Sequence, residues 1–146
     1  MSVFHRILVA YDGSHDGDSA LELAASLASD QNASLTLLTV VPDVAAAVTA
    51  VAAGPYDLEG VYTEMLDGAK AKIPADVSVT TQLEHGPAAA RIIEAAAGHD
   101  LVVMGTHGRG RIGEALIGSV SRDVVHSRRA AVLLTRAPEE SDAAPE

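Results

Sequence analysis

The chain has no cysteine, no tryptophan, one phenylalanine and three tyrosines. Lack of cysteine excludes a disulfide framework, a thiol nucleophile and a thiolate metal site. It also fits a reducing compartment, so a cytoplasmic location is expected. With so few aromatics, the core must be built from Val, Leu, Ile and Ala. No apolar run is long enough for a bilayer span. The opening "MSVFHRILVAYDGS" meets Asp12 after one short run and has no small-residue cleavage site, so it reads as a first core strand. Positive charge is scarce: lysine is confined to Lys70 and Lys72, and the formal net charge is -10. Such a chain repels nucleic acid and anionic lipid, so no nucleic acid and no membrane are expected as partners. The acidity serves solubility or, as an alternative, adaptation to high salt. His5, His15, His85, His99 and His126 are scattered, and no metal cluster is expected from their spacing.

What is present is an apolar chain of 146 residues, 48% of them hydrophobic, enough for one domain with one sizeable core. The expected division is a domain over residues 1–137 and an acidic, flexible tail over 138–146. Strand-like and helix-like segments alternate. "VFHRILVAY" ends in a β-branched and apolar run, Ile7 to Ala10, suited to a strand buried on both faces. A helix follows in "SHDGDSALELAASLASDQN", with Ser14 as cap, Asp16 and Asp18 near its positive end, and Asn32 as a left-handed stop. "ASLTLLTVV" is the second strand, closed by Pro42. Residues 43 to about 55 read as an alanine-rich connection. A helix with Leu58, Val61, Tyr62, Met65, Leu66 and Ala69 at helical intervals comes next, weakened by Gly60 and Gly68 and stopped by Pro74.

"DVSVTTQLEHG" alternates as an edge strand. Pro87 is expected at the first position of the next helix, whose apolar stripe is Ala89, Ile92, Ile93 and Ala96. "DLVVMG" is a central strand. "SVSRDVVHSRR" is the last helix, with Val120, Val124 and Val125 inward, and "AAVLLTR" is the last strand. Repeated strand and helix units of this kind predict an α/β fold, a doubly wound five-stranded parallel sheet with helices on both faces. Ligands of such sheets lie beyond the carboxyl ends of the strands, where strand order reverses. Asp12, Val40 and Gly105 follow or close three of those strand ends and should face one crevice.

The segment "GTHGRGRIGEALIGS", Gly105 to Ser119, places five glycines, two arginines and a histidine directly after a strand. Glycine is costly to order, so such a cluster implies unusual dihedrals or close approach, and a phosphate is one object to approach. A P-loop is excluded because no lysine follows the glycines. A literal G-x-G-x-x-G occurs at Gly108, Gly110 and Gly113, but no acidic residue ends the next strand to hold a ribose. The remaining pattern is Gly105, Gly108, Gly118 and Ser119, with nine residues between Gly108 and Gly118. Gly118 opens a helix with Ser119 and Ser121, and a helix start offers unpaired N–H groups and a positive dipole end to an anion.

The spacing G-x2-G-x9-G-[S/T] resembles the signature of the universal stress protein family, in its nucleotide-binding branch. "RILVAYDGS" is similar to the family's opening strand with its Asp, "LTLLTVV" to its second strand, and "DLVVMGTHGRGRIGEALIGSVSRDVV" to its signature region. The resemblance implies a Rossmann-like sheet of order 3-2-1-4-5, binding of ATP or of AMP or ADP, and a homodimer. By position, Asp12 would contact the ribose hydroxyls and Val40 would hold the adenine edge through its backbone. Met104 and Gly105 would line the ribose side. Gly108, Gly118, Ser119 and Ser121 would bind phosphates, with the Val120 backbone and with Arg109 as a further phosphate partner. The last strand, Ala131 to Arg136, is the candidate dimer interface. Mg or Mn would arrive with the nucleotide, held by phosphate oxygens.

Each of these residues also has a purely structural reading. Asp12 could close a turn, Ser119 could cap its helix, and Val40 and Met104 are core residues. Arg109 and Arg111 could be a solvated patch. His107, inside the loop, could donate to a phosphate when protonated. Three functions follow. The first is a nucleotide-dependent stress-response switch or sensor read by an unknown regulatory protein partner. The second is a slow ATP-hydrolysing enzyme with Glu114 orienting water, and the third is a nucleotide-free dimerisation module.

Overall fold

A computed structural model describes residues 2–43, 57–107 and 117–138 of the chain. Five strands and four helices alternate along it: β1 (Arg6–Ala10), α1 (His15–Gln31), β2 (Ser34–Val41), α2 (Leu58–Ala71), β3 (Val79–His85), α3 (Ala88–Ala96), β4 (Leu101–Gly105), α4 (Ser119–Ser127) and β5 (Ala131–Thr135). All four strand pairings are parallel, and the order is β3-β2-β1-β4-β5. This is the expected order. It reverses between β1 and β4, which therefore flank the switch point.

The two-residue period of the strands sends alternate side chains to opposite faces. Ile7 and Val9 of β1 join Leu35 and Leu37 of β2 and Leu101 and Val103 of β4 under α1 and α2. Leu8, Leu38, Val102 and Met104 form a second core with Ile92 of α3 and Val124 of α4. Ile7, Leu8 and Val9 have no exposed surface. Burying an aliphatic side chain of this size contributes about 1.5–3 kcal/mol, so the sandwich of two helix layers around one sheet is where stability resides.

Local signals set the helix ends. The Ser14 hydroxyl accepts the Gly17 N–H at 3.0 Å, and Asn32 stops α1 with φ 56°. Asp57 caps α2 through the Gly60 N–H at 2.9 Å. Gly68 lies inside α2 with open space where its side chain would be. Pro87 is the N-cap of α3 with extended backbone, one position earlier than expected, because Ala88 is the first helical residue. Val125 is 39% exposed and points outward; Ser121 and Val124 are the buried residues of α4. The connection expected over residues 43 to about 55 lies, after Asp43, outside the described residues, as does the tail beyond Pro138.

Candidate functional site

Thr106, the first residue past β4, has every polar atom committed. Its N–H donates to the Thr135 carbonyl at 2.9 Å, and its carbonyl accepts the Gly118 N–H at 2.6 Å. Its hydroxyl donates to Asp16 Oδ2 at 3.0 Å. From the other side, the Ser121 hydroxyl donates to the Gly105 carbonyl at 2.7 Å and reaches the Thr106 carbonyl at 3.2 Å. The start of α4 is thus fastened to the end of β4, and the two flanks of the glycine-rich excursion converge. Gly108 and Arg109 lie outside the described residues, together with Gly110, Arg111, Gly113 and Glu114.

Gly105 and Gly118 are glycines because of what sits beside them. A methyl on Gly105 would lie 2.6 Å from Asp16 Cβ, so β4 and the start of α1 touch only because no side chain intervenes. On Gly118 it would lie 3.1 Å from the Thr106 carbonyl oxygen. Gly118 is the N-cap of α4 and offers no side-chain cap. The first bond within that turn is Arg122 N–H to Gly118 C=O, at 3.0 Å. The N–H groups of Ser119, Val120 and Ser121 precede it and find no partner among the described residues. Three donors and the positive end of a helix therefore point out of the sheet at the switch point.

Asp12 stands at the opposite wall, two residues beyond β1. One carboxylate oxygen accepts both the Ser14 N–H, at 3.0 Å, and the Ser14 hydroxyl, at 2.6 Å. The turn needs Gly13, whose φ is 82°, a left-handed conformation that side chains resist. Asp12 Oδ1 also lies 2.8 Å from where a side chain on Gly17 would begin. The Asp12 carboxylate is therefore held at the mouth of α1 with its other oxygen unengaged among the described residues.

Val40 faces the same crevice through its backbone. In a parallel ladder, alternate residues turn both backbone groups to the same neighbour. The Leu38 carbonyl accepts from Tyr11 on the β1 side and the Val41 carbonyl accepts from Gly86 on the β3 side. Val40 therefore turns its N–H and C=O toward β1, at a level where β1 has given way to the turn at Asp12. Met104 is 5% exposed, and its side chain packs into the α3 and α4 core, so only its backbone faces the strand ends.

The sequence reading treated Asp16 only as a favourable charge at a helix start. It is buried, and it organises the site. Besides Thr106, its Oδ2 accepts the His107 N–H at 3.3 Å, and its Oδ1 accepts the Ala137 N–H at 2.9 Å. Its carbonyl accepts the Thr135 hydroxyl at 3.0 Å. Burial would push its pKa up. The hydrogen bonds from Ala137, Thr106 and His107, with the His107 ring nearby, outweigh that and hold it below its ordinary value of 3.8. One signal was available: Asp16, Ala20 and Ala24 are spaced four apart, so the acid continues the buried stripe of α1. His107 is likewise buried, its Nδ1 at 3.2 Å from the Thr106 hydroxyl and 3.9 Å from Asp16 Oδ2. It faces that network.

A separate groove of about 540 Å³ runs along α1 toward Lys72 and Pro74 and touches none of the expected site residues. Among the described residues no cluster of His, Cys, Asp or Glu could hold a metal ion. Among them, too, no helix is long and apolar enough to cross a membrane.

An open, doubly wound parallel sheet with two strand-end turns and a bare helix start around its switch point defines an α/β protein of Rossmann-like type. Comparison with known proteins narrows this further. The sequence profile of the universal stress protein family matches residues 4–136, and the chain belongs to that family. A universal stress protein of Mycolicibacterium smegmatis is 31% identical over 132 residues, covering 82% of this chain. This chain spans only 44% of that relative's length. A solved protein of the family from Burkholderia pseudomallei superimposes with a TM-score of 0.70 at 30% identity, covering 94% of this chain and 99% of that one. A universal stress protein solved in complex with cAMP does so with a TM-score of 0.65 at 26% identity, covering 92% and 98%.

Proposed function

We propose that this chain is an adenine-nucleotide-binding regulatory protein of the stress response, with ATP as the ligand the site suits best. The observation that supports this most is the bare start of α4, held across from Asp12 by the bond between Gly118 and Thr106. Three N–H groups at a helix start, without a partner among the described residues, suit phosphate oxygens. The family relative solved with cAMP, at 26% identity over nearly the whole chain, supports an adenine nucleotide as the guest.

In this reading the Ser119 and Val120 N–H groups and the Ser119 hydroxyl bind phosphate. The Ser121 N–H joins them, while its hydroxyl positions β4. Gly108 and Arg109 are further phosphate partners. Asp12 accepts from the ribose hydroxyls with its unengaged oxygen, and the Val40 backbone holds the adenine edge. Met104 and Gly105 line the ribose side through their backbone. A divalent Mg or Mn ion accompanies the nucleotide on its phosphate oxygens. The bound nucleotide acts as a switch, and a protein partner reads the nucleotide-bound state.

The chain works as a homodimer joined through β5 and Arg136. β5 is an edge strand of the sheet, with Val132, Leu133 and Leu134 only half-buried. Thermal unfolding with ATP, AMP, cAMP and GTP tests the reading. Stabilisation by adenine nucleotides, and less by GTP, is expected; no shift with any of the four overturns it.

A further inference from the structure

Asp16 touches two parts of the chain that the sheet keeps apart. Its Oδ2 holds the loop leaving β4, through the Thr106 hydroxyl and the His107 N–H. Its Oδ1 holds the chain leaving β5, through the Ala137 N–H. The Asp16 carbonyl receives the Thr135 hydroxyl, and Thr135 in turn receives the Thr106 N–H. No slack exists on the remaining side, because Asp16 Cβ lies against the bare Cα of Gly105.

We propose that Asp16 is a positioning residue that couples the loop after β4 to the segment after β5, so that a nucleotide ordering the first also orders the second. This rests on the nucleotide reading above and adds a route out of the site. The argument is that one rigid group serves both segments. A carboxylate is planar, and each of its oxygens is engaged by a different segment. Any displacement of Thr106 and His107 that rotates the carboxylate also moves the acceptor of Ala137. Both segments are adjacent to functional elements: the first opens the glycine-rich excursion, and the second continues from the edge strand β5. The state of the crevice would therefore reach the sheet edge without any movement of the core strands.

Hydrogen exchange of the full chain, followed by mass spectrometry with and without ATP, tests this. In the wild type, ATP should slow exchange over residues 105–107 and over 136–137 together, each by about fivefold or more. In Asp16→Asn, the single amide oxygen can no longer accept from both segments. Protection should persist over 117–121 and the joint response of 105–107 and 136–137 should disappear. An equal joint response in variant and wild type overturns the coupling, as does a wild type that binds ATP without changing 136–137. If ATP protects nothing anywhere, the nucleotide reading fails, and the coupling is then decided in the ligand-free chain. Thr106→Val should speed exchange of the Ala137 amide although it alters nothing in contact with it; an unchanged Ala137 overturns the coupling on its own.

Discussion

The backbone N–H of Gly118 donates to the carbonyl of Thr106 at 2.6 Å, although eleven residues lie between them. This bond closes the base of the glycine-rich excursion. It fixes the start of α4 relative to β4, and so relative to Asp12 across the switch point. The three N–H groups of α4 that have no partner among the described residues are therefore preorganised, and a phosphate ligand need not order the helix to be bound by it.

Gly118→Ala puts a methyl 3.1 Å from the Thr106 carbonyl, and the junction must shift by a few tenths of an ångström. ATP affinity should fall about tenfold, the worth of roughly 1.4 kcal/mol of lost charge-assisted hydrogen bonding. Isothermal titration calorimetry checks this. Size-exclusion chromatography should show an unchanged oligomer, because β5 is untouched.

Asp12→Asn keeps an oxygen to accept from Ser14 and so keeps the turn. It removes the negative charge offered to the ribose. ATP binding should weaken by about tenfold, since a hydrogen bond to a charged group contributes about 1.5–3 kcal/mol. A 2′,3′-dideoxy analogue should bind both forms alike, which separates the ribose contact from a general loss of fold.

Two other glycines should respond in opposite directions. Gly105→Ala would drive a methyl to 2.6 Å from Asp16 Cβ and should destabilise the chain by about 1–3 kcal/mol. Gly68→Ala meets open space inside α2 and should stabilise it by about 0.5–1 kcal/mol, because alanine loses less backbone freedom in a helix. Urea unfolding of the two variants checks both signs.

Acid should weaken the Asp16 network. The Asp16 carboxyl is held below its ordinary 3.8 in the folded chain, so between the two values the unfolded chain binds the extra proton. Its contribution is fully present above that ordinary value and is lost as pH falls through the lowered one. Asp16→Asn should thus be less stable than the wild type by about 2 kcal/mol at neutral pH, with an unpaired buried donor as the cause. The gap should hold down to about pH 5 and shrink below 3.8. Unfolding midpoints of both proteins across that range provide the measurement.

The succession of strands and helices was legible because local chemistry governs it, whereas the sheet order came from the family resemblance. Ser14, Asn32 and the two-sided apolar run of β1 each act within one element. The grouping of Gly105 with Gly118 in one pattern was legible because spacing and strand-end position are sequence properties. Asp16 was read correctly as an acid in the first turn of α1, but its wider role was not legible, because its partners Thr106, His107 and Ala137 lie about 90 to 120 residues away and only the sheet brings them together. Val125 was placed inward because hydrophobicity alone suggested it. The buried residues are Val124 and Ser121, whose hydroxyl satisfies the Gly105 and Thr106 carbonyls.

Amide chemical shifts recorded during an ATP titration of the full chain test the nucleotide site most directly. The account predicts saturable shifts at Ser119, Val120 and Ser121, accompanied by Asp12 and Val40, with one common dissociation constant. Saturable binding that leaves the α4 amides unmoved would contradict it.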